Sequence, residues 1–360
     1  MGTQKTSKHQ QHTPRSKHRK FRKWLLGILI GLVVLVLTVF IWFRLSPWPG
    51  ALIIRYVFEH NKGAHEVSQS LQVHEPKSGI MAISDQQYKP DDKDAKLDVY
   101  TPERTDQSGE KLPVIIWTHG GAWLSGSKTD SGPYYKLLAQ QGYTVITPNY
   151  SLAPEKTYPT PVHQLNAMYG YIQENAERFR ADTNSIILAG DSAGSQLSAQ
   201  MAALITNPAY AHEVGVVPTL KPEQLKGVVL MCGIYKMQEL AYPNPTLSKI
   251  IGWGDDVTVW AYSGTNNFSD PIIKQMSPYY HVTKEFPPTF ISGGNADPLT
   301  DTQSKPFADE LQSLGVGVTR LFYEPNHTPA LPHEYQFNLD NADGKKALEQ
   351  IIDFLSKHDN

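Results

Sequence analysis

The chain has 360 residues, with 33 Lys and Arg against 35 Asp and Glu and a formal net charge of −2. That length fits one large domain with additions, and a balance this close to neutral argues against nucleic acid as a partner. The single cysteine, Cys232, excludes an internal disulfide; at the end of the apolar run Val228–Met231 it reads as a small buried apolar residue.

Residues 1–23 carry eight Lys and Arg and no acid, and read as a basic cytoplasmic arm. His9, His12 and His18 belong to this solvated arm rather than to a metal site. "WLLGILIGLVVLVLTVFIWF" then runs from Trp24 to Phe43 without a charge. A helix of that length crosses a hydrocarbon core of about 30 Å. Trp24, Trp42 and Trp48 stand where an aromatic belt would lie. A cleaved signal has an apolar region of only about 7–15 residues and a small-residue cleavage site; "RLSPWPGAL" offers a poor one near Ala51. The expectation is an uncleaved signal anchor over 24–43 in the cell membrane, single-pass, with the N-terminus cytoplasmic and the domain after it extracellular.

Residues 44–75 read as a linker with a candidate cap helix around Leu52, Ile53, Tyr56 and Val57, and 76–360 as the main domain. "KLDVYTP" (96–102) alternates like a strand, and "ERTDQSGEKL" after it reads as a polar hairpin or loop. Further strands are expected at 113–121, 143–150, 185–194, 227–233, 288–298 and 318–325, five of them continuous apolar runs suited to burial on both faces. Helical patterns fall between them at 132–142, 161–180, 195–206, 302–315 and 344–357. This alternation predicts an α/β fold with a mostly parallel, doubly wound sheet. The stretch 235–286, rich in Trp, Tyr and Pro, is long for a connection and reads either as a lid, together with 51–75, or as decoration of the sheet edge.

Within this frame, Gly190-Asp191-Ser192-Ala193-Gly194 places a serine between a buried strand and a helix. The flanking glycines suit a turn too sharp for side chains, one that lifts the Ser192 hydroxyl above the sheet at a helix N-terminus. Alone the pattern is weak, since a chain of this length shows it by chance roughly one time in ten. A serine nucleophile also needs a base, a group to orient the base, and donors for an oxyanion, all from the carboxyl ends of strands. His119-Gly120-Gly121 follows one strand and supplies backbone donors, joined by the N–H of Ala193; His119 itself reads as a loop-positioning residue. Asp297 follows another strand directly, while Asp301 is better placed as an N-terminal helix acid and Asp191 points elsewhere. His327 and His333 both follow the last strand, and either can be the base.

The order His-Gly-Gly, Gly-Asp-Ser-Ala-Gly, Asp-Pro-Leu and a late His resembles the α/β-hydrolase fold and, within it, the hormone-sensitive-lipase-like bacterial esterases. "YSLAPE" (150–155) is similar to that family's Tyr-Arg-Leu-Ala-Pro-Glu, and "MSPYY" matches its Ser-Pro after the lid. The resemblance covers about residues 95–357. It implies Ser192 as nucleophile, Asp297 as orienting acid, and an oxyanion hole of Gly120, Gly121 and Ala193. The chain departs from the pattern at Ala122, where many members have a third glycine, at Ser151, and in a lengthened histidine loop. Counted from Asp297 the family spacing falls on His327; counted back from the last helix it falls on His333. The "EYQF" after His333 is similar to the family's His-Gly-Phe, and Tyr335, Phe337 and Leu339 can anchor the chain there, so His333 is the expected base.

The resemblance implies a serine carboxylic-ester hydrolase for small to medium acyl or aryl esters, needing no metal or cofactor. A deacetylase of a cell-surface polymer would use the same triad. A membrane-tethered binding protein without catalysis is the reading of another class, and the intact set of site residues argues against it.

Overall fold

The computed structural model describes residues 15–60, 69–241 and 248–359. His9 and His12 of the basic arm, residues 61–68 of the linker and 242–247 of the expected lid lie outside them. The chain divides into two compact units, Met1–Pro49 and Gly50–Asn360. The first holds helix α1 (Arg15–Leu45). Its stretch Arg19–Leu45 contains an 18-residue window with a mean hydropathy of 3.0 and no buried residue, and is long and apolar enough to cross a membrane. Helix α2 (Trp48–Glu59) follows after two residues.

The second unit is built on one eight-stranded sheet. Its strands are β1 (Ile80–Gln87), β2 (Lys96–Pro102), β3 (Leu112–Thr118), β4 (Thr144–Pro148), β5 (Ala181–Asp191), β6 (Leu225–Met231), β7 (Thr289–Ser292) and β8 (Val318–Leu321). They are ordered β1-β2-β4-β3-β5-β6-β7-β8. β1 and β2 run antiparallel to their neighbours, and every pairing from β4 to β8 is parallel. This is the mostly parallel, doubly wound sheet that the alternation predicts. Along β3, Val114 and Ile116 join one core while Ile115 and Trp117 join the other, so the continuous apolar runs serve two faces.

Helices cover both faces. Helices α3 (Arg104–Ser108) and α4 (Gly132–Gln140) precede β4, and α5 (Thr160–Glu174) precedes β5. Helix α6 (Ala193–Thr206) leaves the end of β5 and is buried along its whole length. Its small residues allow that depth, and its polar ones are paired inside: Ser195 and Ser198 donate to the Gly190 and Ala189 carbonyls, and Gln196 donates to Gln200 and to the Met276 carbonyl. Helices α7 (Pro208–Val214), α8 (Met237–Ala241), α9 (Lys249–Ser263), α10 (Pro271–Gln275), α11 (Lys305–Ser313) and α12 (Ala342–His358) complete the unit.

The structure differs from expectation at three places. β1 was not foreseen, because the apolar start of "IMAISDQQ" gives way to four polar residues and a bulge between Ile83 and Gln86 breaks its alternation; as an edge strand it pairs on one side only. The expected polar hairpin contains the short helix α3, closed by Gly109 in the left-handed region. Within 235–286, where no helical pattern was singled out, α8 lies before and α9 and α10 lie after residues 242–247.

The inner end of the sheet edge carries a buried ion pair. Lys128 Nζ lies 2.7 Å from Asp98 Oδ1 on β2, with side chains 8% and 2% exposed. Removing the lysine strands Asp98 as an unpaired buried charge, whereas Lys128 also reaches Asp85 Oδ1 at 3.1 Å. Lys128→Met is therefore expected to cost about 3–5 kcal/mol in urea unfolding of the detergent-solubilised chain, and Lys128→Arg far less; a loss below about 1 kcal/mol would show the pair to be an ordinary surface contact.

Candidate active site

The turn from β5 into α6 holds Ser192 at φ 49° and ψ −119°, a conformation that side-chain-bearing residues rarely adopt. Such backbone costs of order 1–3 kcal/mol and persists only where the surroundings fix it. Here they do: Ser192 N–H donates to the Met231 carbonyl at 2.8 Å, and a Cβ on Gly194 would lie 2.0 Å from the Thr118 carbonyl oxygen. The turn thus presses α6 against the end of β3 at a distance only glycine permits.

Asp297 stands five residues beyond β7 with its side chain fully buried. Its Oδ1 accepts from the Leu299 N–H at 2.9 Å, and its Oδ2 lies 2.9 Å from His333 Nδ1. The other ring nitrogen, His333 Nε2, is 3.0 Å from Ser192 Oγ. The structure therefore brings Ser192, His333 and Asp297 into one chain of hydrogen bonds. His327 is elsewhere: its Nε2 lies 2.9 Å from Asp343 Oδ2 at the start of α12, and its ring rests against Tyr323. The segment after His333 is held firmly, with Tyr335, Phe337 and Leu339 buried, Phe337 against Tyr134 and Trp117, and Gln336 donating to Ser292 Oγ.

Burial alone would lower the His333 pKa; the charge and hydrogen bond of Asp297, helped by Glu334, outweigh it and hold the pKa up at about 9. Glu334 is a neighbour the sequence reading missed. It sits at φ 60° with Oε1 3.8 Å from His333 Nε2, in the place where the resembled family has glycine. That substitution was its only signal in the sequence.

The donor turn requires one correction. Gly120 was expected among the oxyanion donors, but its N–H donates to Asp191 Oδ2 at 2.8 Å and is committed there. The other oxygen of Asp191 accepts from Trp117 Nε1 at 2.8 Å. The next N–H groups, those of Gly121 and Ala122, make no hydrogen bond among the described residues, and neither does that of Ala193. Gly121 at φ 101° and Ala122 at φ 54° are both left-handed, which turns successive N–H groups to one side. Ala122 thus adopts the conformation that a third glycine would supply. His119 holds this turn from behind: its ring stacks on Tyr150 at 4.4 Å, its Nδ1 lies 2.8 Å from the Gly120 carbonyl oxygen, and burial pushes its pKa down.

Cys232 lies beside Asp297 and His333, with ligand atoms of the three within 4.8 Å. Burial pushes the thiol pKa well up, disfavouring the thiolate that a metal would need, and the other two are engaged with each other and with Ser192. The arrangement suits a hydroxyl nucleophile with a nitrogen base and a pocket of backbone donors.

Comparison with known proteins finds a family and several esterases. The family described as BD-FAE matches residues 97–311, more than half of the chain. The chain is similar to Esterase LipC of Mycobacterium tuberculosis, 27% identical over 272 residues covering 74% of this chain and 63% of that protein. It is also similar to an esterase of Gibberella moniliformis, 29% identical over 263 residues covering 71% of this chain and 78% of that one. The match thus spans less than two thirds of LipC's length. Among solved structures, esterase B from Lactobacillus Rhamnosis shares the fold with a TM-score of 0.69 at 20% identity, covering 86% of this chain and 96% of that one.

Because a protonated imidazole cannot accept the Ser192 proton, reaction of Ser192 with a fluorophosphonate is expected to accelerate as pH rises, with a midpoint near the His333 pKa of about 9. Removing the Glu334 charge destabilises the imidazolium, so Glu334→Gln should move the midpoint to lower pH; an unchanged or raised midpoint would refute the assignment. In the same assay His333→Ala should abolish labelling, and His327→Ala should change its rate less than about tenfold, since the two rings bond to different carboxylates.

Proposed function

Because the chain belongs to the BD-FAE family, among the hormone-sensitive-lipase-like carboxylesterases of the α/β-hydrolase fold, we propose that it is a membrane-anchored serine hydrolase of carboxylic esters. The observation that carries this reading is the line from Ser192 Oγ to His333 Nε2 at 3.0 Å and from His333 Nδ1 to Asp297 Oδ2 at 2.9 Å. The proposed organisation is a basic arm over 1–23, an anchor over 24–43, a linker with the cap helix α2 over 44–75, and a catalytic domain over 76–360 in which 235–286 forms a lid.

In the proposed reaction Ser192 Oγ attacks the ester carbonyl carbon while its proton passes to His333 Nε2. The carbonyl π pair moves onto oxygen, and the N–H groups of Gly121, Ala122 and Ala193 stabilise that oxyanion; one such donor is worth about 10²–10³ in rate. Collapse of the intermediate breaks the bond to the alcohol oxygen, which leaves with the proton from His333. The acyl group remains on Ser192. Water then attacks the acyl-enzyme, giving its proton to the same imidazole, and the acid departs as Ser192 recovers the proton. Asp297 keeps the ring in the required tautomer and balances the imidazolium charge. Small to medium acyl or aryl esters are the proposed substrates, the class that the resemblance implies.

Two measurements test this. Ser192→Ala in the full chain should retain the parent's circular dichroism and lose about 10⁴-fold or more in aryl ester hydrolysis; activity within tenfold of the parent would sink the serine mechanism. The basic arm before Trp24 should stay in the cytoplasm. Protease added to intact cells should then digest the catalytic domain, and survival of that domain until lysis would overturn the orientation.

A further inference from the structure

Helix α2 has one face set against the protein and an apolar face turned outward. On its inner side Ala51 is fully buried, and Arg55 donates to the Leu124 and Ala153 carbonyls and to both oxygens of Glu155. On its outer side Leu52, Ile53, Tyr56 and Val57 are 44%, 46%, 62% and 55% exposed. At about 100° per residue these four share one face, and the helix carries no acid before Glu59. A contiguous exposed apolar face of this kind marks a surface that meets a protein partner or a membrane. The first turn of α9 behaves the same way, with Ile250 78%, Ile251 48% and Trp253 40% exposed. The two helices lie side by side: a Cβ on Gly50 would meet Val257 at 2.8 Å and Trp253 at 3.1 Å.

The covalent chain says what covers this surface. The candidate span ends at Leu45 and α2 begins at Trp48, with only Ser46 and Pro47 between. Three residue steps reach at most about 11 Å, so α2 begins at the surface of whatever bilayer α1 crosses. Tyr56 and Trp253 are residue types enriched at that level, and an outward face of this composition matches helices that lie in the headgroup and acyl boundary.

We infer that the outer face of α2 and the first turn of α9 are seated in the bilayer interface, so that the site takes its ester from the membrane phase. This rests on the anchored reading proposed above. Both seated helices stand on the residues that follow the donor turn: Arg55 of α2 bonds the Leu124 carbonyl at 2.6 Å, and Tyr262 of α9 stacks on Trp123. The substrate class favoured is an ester whose acyl chain partitions into lipid, entering beside the elements that touch the membrane.

The test uses the full chain in phosphatidylcholine vesicles with single environment-sensitive labels on Val36→Cys, Ile53→Cys, Ile251→Cys and Val217→Cys. The native Cys232 is buried and escapes labelling. Val36 lies in the candidate span, and Val217, 86% exposed, is the aqueous control. Labels at 53 and 251 should emit to the blue of that at 217 and be quenched by shallow doxyl-lipid, with the label at 36 quenched by deep doxyl-lipid. Quenching at 36 with none at 53 and 251 overturns the seating while leaving the anchor intact. No quenching at 36 overturns the anchor, and the seating with it. In a second arm, Leu52→Asp/Val57→Asp should raise KM about tenfold for a medium-chain aryl ester carried in vesicles and leave KM for a water-soluble acetyl ester unchanged. An equal change for both esters, or none for either, overturns the inference.

Discussion

The whole site depends on one strained turn. Ser192 occupies a backbone conformation that its own side chain disfavours, and it stays there because α6 is buried end to end and its glycine start touches the Thr118 carbonyl. Three separate jobs follow from that single turn. It raises the serine hydroxyl, it leaves the Ala193 N–H at the head of a helix, and it carries Asp191, whose carboxylate holds the facing Gly120 N–H and the Trp117 indole. The turn after β3 is therefore located by the neighbour of Ser192 itself, so the two turns keep one geometry.

The balance of charge around His333 follows from the same compactness. Asp297 lies on one ring nitrogen and Glu334 approaches the other, while Asp191 is close enough to Glu334 for the latter's charge to raise its pKa beyond what burial already does. Two of these carboxyls have defined donors in the protein: Asp297 has Leu299 and His333, and Asp191 has Trp117 and Gly120. Glu334 has the imidazole at 3.8 Å and is partly open to solvent. It is the most exposed of the three carboxylates, and it brings a negative charge beside the His333 ring.

Much of this was legible in the sequence, and what was not has identifiable causes. The parallel strands announce themselves because burial on both faces forces continuous apolar runs such as "PVIIW" and "SIILAG". β1 hides because an edge strand is released from that demand. Ser192 and Asp297 were readable because Ser192 follows β5 directly and Asp297 comes in the loop just after β7, and the structure brings them to one imidazole. The commitment of Gly120 was not readable: which backbone N–H is left open depends on where the Asp191 side chain turns, and sequence order carries no such information. Glu334 could have been noticed, since a charged residue stood where the resembled pattern has glycine. The choice between two histidines turned on the buried Tyr335, Phe337 and Leu339, whose alternation marks a segment tied to the core.

The loop between the two histidines is fastened by a single amide. Asn295 donates through Nδ2 to the His327 carbonyl and accepts through Oδ1 from the Leu331 N–H, while the Leu331 carbonyl accepts from the Ala296 N–H. The segment carrying Asp297 thereby grips both banks of an exposed bay, residues 328–330. Chain added or lost inside that bay changes contour length without moving either bank. Length variation during descent would collect there at little structural penalty, which makes distance counted from the preceding strand a poor ruler and distance counted from the following helix a good one. The same bay is a natural place to graft a foreign segment, because the fastening that keeps it out of the active site lies in the fixed loop and not in the insert.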